Sequence, residues 1–251
     1  SMLGAQVAGA VINFVGLGQT YFVAAAAYLA SWLCMAMMRP VPKERVATPT
    51  RGSTGQELLA GLRYVRAHGA LKGVIGVTIV MNFFLFSYQT MIPVFADGLH
   101  VNAFWAGLLA SAPGAGALVG AALIAGWASG RIGRGWIFVG GSAIAMVCLF
   151  TFAASGAYTL SLAALLIAGI GQSGFGTMQG SLTLTAAEPA MRGRVMGVLS
   201  MSIGVGPFGM ATLGVVAQAL GAPRAVMLSV GIGAVLLLLW AWRSPALRAI
   251  R

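Results

Sequence analysis

Residues 128–154 read ASGRIGRGWIFVGGSAIAMVCLFTFAA. Two arginines, Arg131 and Arg134, are followed by an unbroken run without charge up to Ala154. A run of this length crosses a hydrocarbon core about 30 Å thick, and with no water there to bond the backbone it must be a helix. The same grammar repeats in both directions. Apolar segments run at about 2–17, 20–38, 73–96, 104–128, 135–155, 159–187, 195–219 and 225–242. They predict seven complete helices and the stub of an eighth.

The connections between these segments alternate in charge. Taking the one after Met38 as inside, Arg39, Lys43, Arg45, Arg51, Arg63, Arg66 and Lys72 share an inside loop. Arg131 and Arg134 lie in the next, Arg192 and Arg194 in a third, and Arg243, Arg248 and Arg251 in an inside tail. The opposite connections hold only Arg224. Loops rich in Lys and Arg stay cytoplasmic, so the pattern orients the chain and places its C-terminus inside.

Composition agrees. The chain is 59% hydrophobic and 8% charged, too apolar for a soluble fold. Its net charge of +11 does not imply a nucleic-acid partner. The arginines sit at segment ends, where they meet anionic lipid headgroups, and no basic stripe is interleaved with stacking aromatics. Membrane lipids are the expected surroundings. Cys34 and Cys148 lie in different apolar segments, so neither a disulfide nor a metal site is expected. No cofactor is expected either. No acid or base sits deep in a segment, and His68 and His100 fall in loops on opposite sides, so a membrane enzyme is not expected. The chain begins at Ser1 without a basic leader, and its first segment is short. We expect a truncated chain whose upstream helices are missing.

The longest polar stretch, Arg39–Leu71, carries Pro40, Pro42, Pro49, Gly52 and Gly55. Within it, residues 55–68 read as an amphipathic helix with Leu58, Leu62 and Val65 on one face; such a helix is expected in the headgroup plane. Pro93, Pro113 and Pro207 each remove a backbone donor inside a segment and predict bends. Gly116–Gly120, Gly176–Gly180 and Gly193–Gly197 have the spacing that lets helix backbones approach closely in lipid.

Three stretches resemble the major facilitator superfamily. GWASGRIGRG, Gly126–Gly135, resembles its cytoplasmic signature: Gly126, Arg131, Gly133 and Arg134 match, while Gly130 stands where the family has Asp and Gly135 where it has a basic residue. AAEPAMRGRVMG, Ala186–Gly197, resembles a loop of drug- and siderophore-exporting members. GQELLAGLRYVRAHGAL, Gly55–Leu71, and MIPVFADGL, Met91–Leu99, resemble the linker helix and the outer end of the seventh helix in that subgroup. LGAQVAG, Leu3–Gly9, has Ala5 where the antiporter motif has Pro.

The resemblance implies an all-α membrane protein: the C-terminal six-helix bundle of the superfamily fold plus the last one to two helices of the N-terminal bundle. Residues 1–38 would end the N-terminal bundle, 39–71 would form the cytoplasmic linker, and 72–251 the C-terminal bundle. It implies a secondary transporter of the bacterial inner membrane. The expected activity is export of amphipathic small molecules by alternating access, with the missing N-terminal bundle as partner. On the residues alone, a non-transporting membrane scaffold or pseudo-transporter fragment stays open. The spans carrying Asn82, Tyr88 and Gln89 and carrying Gln172, Ser173 and Gln179 would line the central cavity, with Phe83 and Phe175 as apolar surface. Gly126, Arg131, Arg134, Glu188, Arg192 and Arg194 would form the cytoplasmic gate, with Glu188 latching the arginines.

Overall fold

The computed structural model describes residues 17–37, 54–128 and 130–248. Among them the fold is all helical. Helix α1 spans Leu17–Ala36 and α2 spans Thr54–Ala67. Six helices long and apolar enough to cross a membrane follow: α3 (Gly69–Gly98), α4 (Ala103–Gly126), α5 (Arg134–Ala154), α6 (Tyr158–Ala186), α7 (Arg192–Leu220) and α8 (Ala222–Arg243). A short α9, Pro245–Arg248, ends the described chain. These spans coincide with the apolar segments expected from 73 onward, their ends differing by a few residues. The first segment, the Leu3–Gly9 motif and the Pro-rich stretch before Thr54 lie outside the described residues.

The helix starts have local causes. The Asn102 side chain accepts the Trp105 N–H at 3.2 Å, filling one of the donors left open in the first turn of α4. Gly221 takes a φ of +82° between α7 and α8, a conformation other residues resist, and Pro223 follows in the first turn.

Helix α6 is the packing centre, lying along both α4 and α5. Backbones meet where side chains are absent. Gly116 and Gly120 of α4 abut the Leu166 and Ile170 carbonyls of α6, and a methyl group on Gly141 would sit 2.6 Å from the Gly171 carbonyl. In lipid, where no hydrophobic force pulls helices together, such close contact is a main source of cohesion. Gly176, Gly180, Gly193 and Gly197 have open space where a side chain would be. Between the helices lies an apolar core that includes Met81, Leu85, Leu109, Phe138, Leu149 and Phe152.

A second apolar cluster forms at the end of the bundle that holds the α6–α7 loop, and it corrects one expectation. The apolar face of α2 does not lie free in a headgroup plane. Val65 is buried with Leu71, Val195, Val198 and Leu199, and Leu58 and Leu62 pack against the same cluster. Gly61 permits the contact: a methyl group there would meet the Arg194 carbonyl at 2.8 Å. The amphipathic face is covered by the first turns of α7. At the same end, Trp240 Nε1 donates to the Lys72 carbonyl at 3.3 Å, and the buried Leu247 of α9 packs on α3.

Candidate functional site

Two spans lose regular helical geometry near their middles, and they do so side by side. In α3, Gly69–Val80 is regular; Met81–Leu85 widens into a π-turn, closed by the Phe86 N–H reaching the Met81 carbonyl. Phe86–Met91 then tightens into 3-10 geometry before Ile92–Gly98 resumes the α-helix. Pro93 explains the tightening. It has no N–H for the Gln89 carbonyl, and the Ile92 N–H takes that place. In α7, Gly204 and Val205 interrupt the helix between Ile203 and Gly206, with Pro207 just beyond. The predicted bends at Pro93 and Pro207 are thus changes of helix type and a break; Pro113 lies within α4, its carbonyl against Gly169.

The two irregular stretches touch. Gly209 of α7 sits directly on the Phe83 carbonyl, and Gly206 faces the Asn82 carbonyl. Carbonyls loosened by the irregular turns are satisfied by hydroxyls. Ser87 Oγ donates to the Phe83 and Phe84 carbonyls at 2.9 and 3.2 Å, and Ser229 Oγ of α8 donates to the Phe84 carbonyl at 3.0 Å. Irregular backbone at membrane depth is tolerated only where protein supplies such partners or a cavity does. π-turns of this kind recur at functional positions.

The candidate polar residues surround this junction in different states. Asn82 is buried and its Nδ2 donates to the Thr78 carbonyl at 2.9 Å. Gln179 Nε2 of α6 donates to Thr78 Oγ1 at 3.0 Å, and Thr78 Oγ1 donates to the Val74 carbonyl at 2.8 Å, joining α6 to α3. Tyr88 is 1% exposed; its ring meets Phe152 edge-on, and the Gln172 side chain lies beside its hydroxyl. Among the described residues, neither the Tyr88 hydroxyl nor Gln172 Nε2 has a hydrogen-bond partner of good geometry beyond the approach of these two side chains to each other. Ser173 Oγ donates to the Ile170 carbonyl at 2.7 Å. Phe175 packs between Phe86 and Phe138, while Phe83 is half-buried against Phe84. Gln89 is exposed, as are Thr90 of α3 and Thr177 of α6. Thr78 and Ser229 did not stand out in the sequence. Each is a lone hydroxyl in an apolar run, and only the neighbouring helix reveals its use.

At the other candidate site, Arg131 and Arg134 are exposed on either side of Gly133, and Gly126 lies in a π-turn, Ile124–Ala128, that ends α4. Gly130 has a φ of +84°. That explains glycine at this position, since an Asp there would be strained. Arg192 Nε donates to the Leu184 and Ala187 carbonyls at 3.1 and 3.4 Å, covering the end of α6. A cation suits the negative end of a helix dipole. Arg194 Nη1 contacts Met191 Sδ at 3.5 Å. Glu188 is exposed; its backbone N–H donates to the Tyr64 hydroxyl of α2 at 3.3 Å, and its carbonyl accepts from the Met191 and Arg192 N–H groups. Arg192 and Arg194 are therefore engaged by groups other than the Glu188 carboxylate. Among the described residues, no three His, Cys, Asp or Glu side chains converge as metal ligands.

Comparisons with known proteins agree with this architecture. The bacterial homologue of the human lysosomal transporter Spinster, solved in an inward-facing and unoccupied conformation, is similar with a TM-score of 0.59 at 15% identity. The similarity covers 97% of this chain and 66% of that one, so this chain spans just under two thirds of its length. None of the curated proteins compared with the chain matches it. The sequence profile of the Major Facilitator Superfamily matches residues 1–206 and, overlapping, 106–250. With six apolar spans in the described residues and a profile that covers nearly the whole chain, the protein is a multi-pass membrane protein belonging to the Major Facilitator Superfamily.

Proposed function

We propose that this chain is part of a secondary active transporter of the drug- and siderophore-exporting kind. It would reside in a bacterial inner membrane with its C-terminus in the cytoplasm. Residues 72–251 would act as the C-terminal bundle, 39–71 as the cytoplasmic linker, and 1–38 as the end of an N-terminal bundle. Rocking of the two bundles would expose a midplane site alternately to each side. The observation that carries the proposal is the paired disruption of α3 and α7 near the middle of their spans, with amides of α3 and α6 close by. Broken helices at that depth are where transporters bind substrate. Amides and aromatic rings without a buried charge suit a bulky amphipathic ligand.

The test is efflux by the complete transporter carrying Gln172→Leu. Loss of rate or a changed substrate range is expected; an unchanged range and rate would leave Gln172 a structural role. The cytoplasmic latch, a pairing of Glu188 with the gate arginines in the outward-open state, is tested in the same protein. Glu188→Gln should raise the reactivity of cysteine probes at the inner gate, by no more than the 0–1 kcal/mol of an exposed ion pair. Wild-type reactivity removes the latch.

A further inference from the structure

We propose that the cleft between α7 and α8 binds one acyl chain of an anionic phospholipid whose phosphate pairs with Arg224. The cleft has a volume of about 190 Å³. Its walls are Leu213 and Val216 of α7 and Leu228 and Ile232 of α8, and its floor is Phe83 and Phe84 of the irregular stretch of α3. Substrate sites for drug-sized molecules run to roughly 300–1,000 Å³, so this cleft suits a chain segment rather than a whole ligand. Its polar groups are already committed: Thr212 Oγ1 donates to the Phe208 carbonyl at 2.7 Å and Ser229 Oγ to the Phe84 carbonyl at 3.0 Å. An occupant therefore needs no hydrogen-bonding groups.

Two observations identify that occupant as lipid. Leu228 and Ile232 at the mouth continue into Val235 and Leu239, all exposed at spacings of four, three and four residues. An exposed aliphatic stripe along a spanning helix is the surface that acyl chains cover. Arg224 lies on the same face as Leu228 and Ile232, at four-residue steps, and is exposed. It is the sole Lys or Arg at that end of the bundle in the charge pattern. A cation in the first turn of a helix is disfavoured by the dipole, so helix stability does not account for it. One turn separates it from Leu228, which sets a headgroup at Arg224 and its chain at the cleft. Since the cleft floor is Phe83 and Phe84, a bound chain would buttress the irregular junction of α3 and α7 from the lipid side.

The test uses the complete transporter, purified in dodecyl maltoside micelles and titrated with dioleoyl phosphatidylglycerol or dioleoyl phosphatidylcholine, with bound lipid counted by native mass spectrometry. One phosphatidylglycerol should be retained in preference to phosphatidylcholine. Arg224→Gln should weaken it by about fivefold and remove the headgroup preference. Leu228→Trp and Ile232→Trp, which close the mouth, should each weaken it by about tenfold. Val147→Trp, on the exposed face of α5, should change nothing and controls for folding. Equal retention of the two lipids, wild-type binding by Arg224→Gln, or wild-type binding by a folded mouth variant overturns the proposal. So does a lipid-free dimer, which would show a second copy covering the cleft.

Discussion

A single hydroxyl illustrates how sharply a bundle interior discriminates. Among the described residues, the buried Tyr88 oxygen has no hydrogen-bond partner of good geometry, only the Gln172 side chain beside it, and Gln172 Nε2 is in the same state. Removing an unsatisfied buried group is nearly neutral or stabilising, whereas removing a satisfied one costs about 0.5–1.5 kcal/mol. Tyr88→Phe is therefore expected to leave the thermal midpoint of the detergent-solubilised chain unchanged or raised. A fall of several degrees would show that the hydroxyl has a bound partner. Glycines divide just as sharply. A methyl group on Gly209 would collide with the Phe83 carbonyl, so Gly209→Ala should destabilise by about 1–3 kcal/mol. Gly197 is in a helix and faces open space. Gly197→Ala should stabilise the isolated chain by about 0.5–1 kcal/mol, the propensity gain alone. Unfolding in a denaturing detergent series compares the two. Sequence could not separate these glycines, because both lie inside the same membrane-spanning segment and only the neighbouring backbone distinguishes them.

At the scale of elements, helix α2 is the instructive case. Its length and apolar face were legible from the spacing of Leu58, Leu62 and Val65, and the helix Thr54–Ala67 lies within one residue of the expected bounds. What covers that face was not legible, since amphipathicity gives a direction but no partner. The structure supplies α7, through Val195, Val198 and Leu199. Gly61→Leu should push α2 off α7. Hydrogen exchange is then expected to accelerate across residues 54–67 while the spans keep their protection; protection retained in α2 would contradict the docking. The same limit applies to α3. Pro93 announced an irregularity, but the π-turn eight or more residues earlier depends on contact with α7 and on the hydroxyls of Ser87 and Ser229.

For the molecule as a whole, the charge pattern makes a geometric claim. With Cys34 and Cys148 replaced by serine, Ala190→Cys in the α6–α7 loop and Ala157→Cys in the α5–α6 loop should react with an impermeant maleimide from opposite sides of the membrane. Labelling of both from one side would break the topology. Segment length and composition determined the membrane class and the number of spans after residue 69, while the charge asymmetry proposes the orientation that the labelling tests. Each of these follows from transfer of single helices between water and hydrocarbon, a property of local sequence. Which glycines are contacts, which amides are satisfied, where α3 and α7 lose regularity and where the α7–α8 cleft opens were decided only by the tertiary structure. Those features arise where two or three helices meet, and no one helix encodes its neighbours.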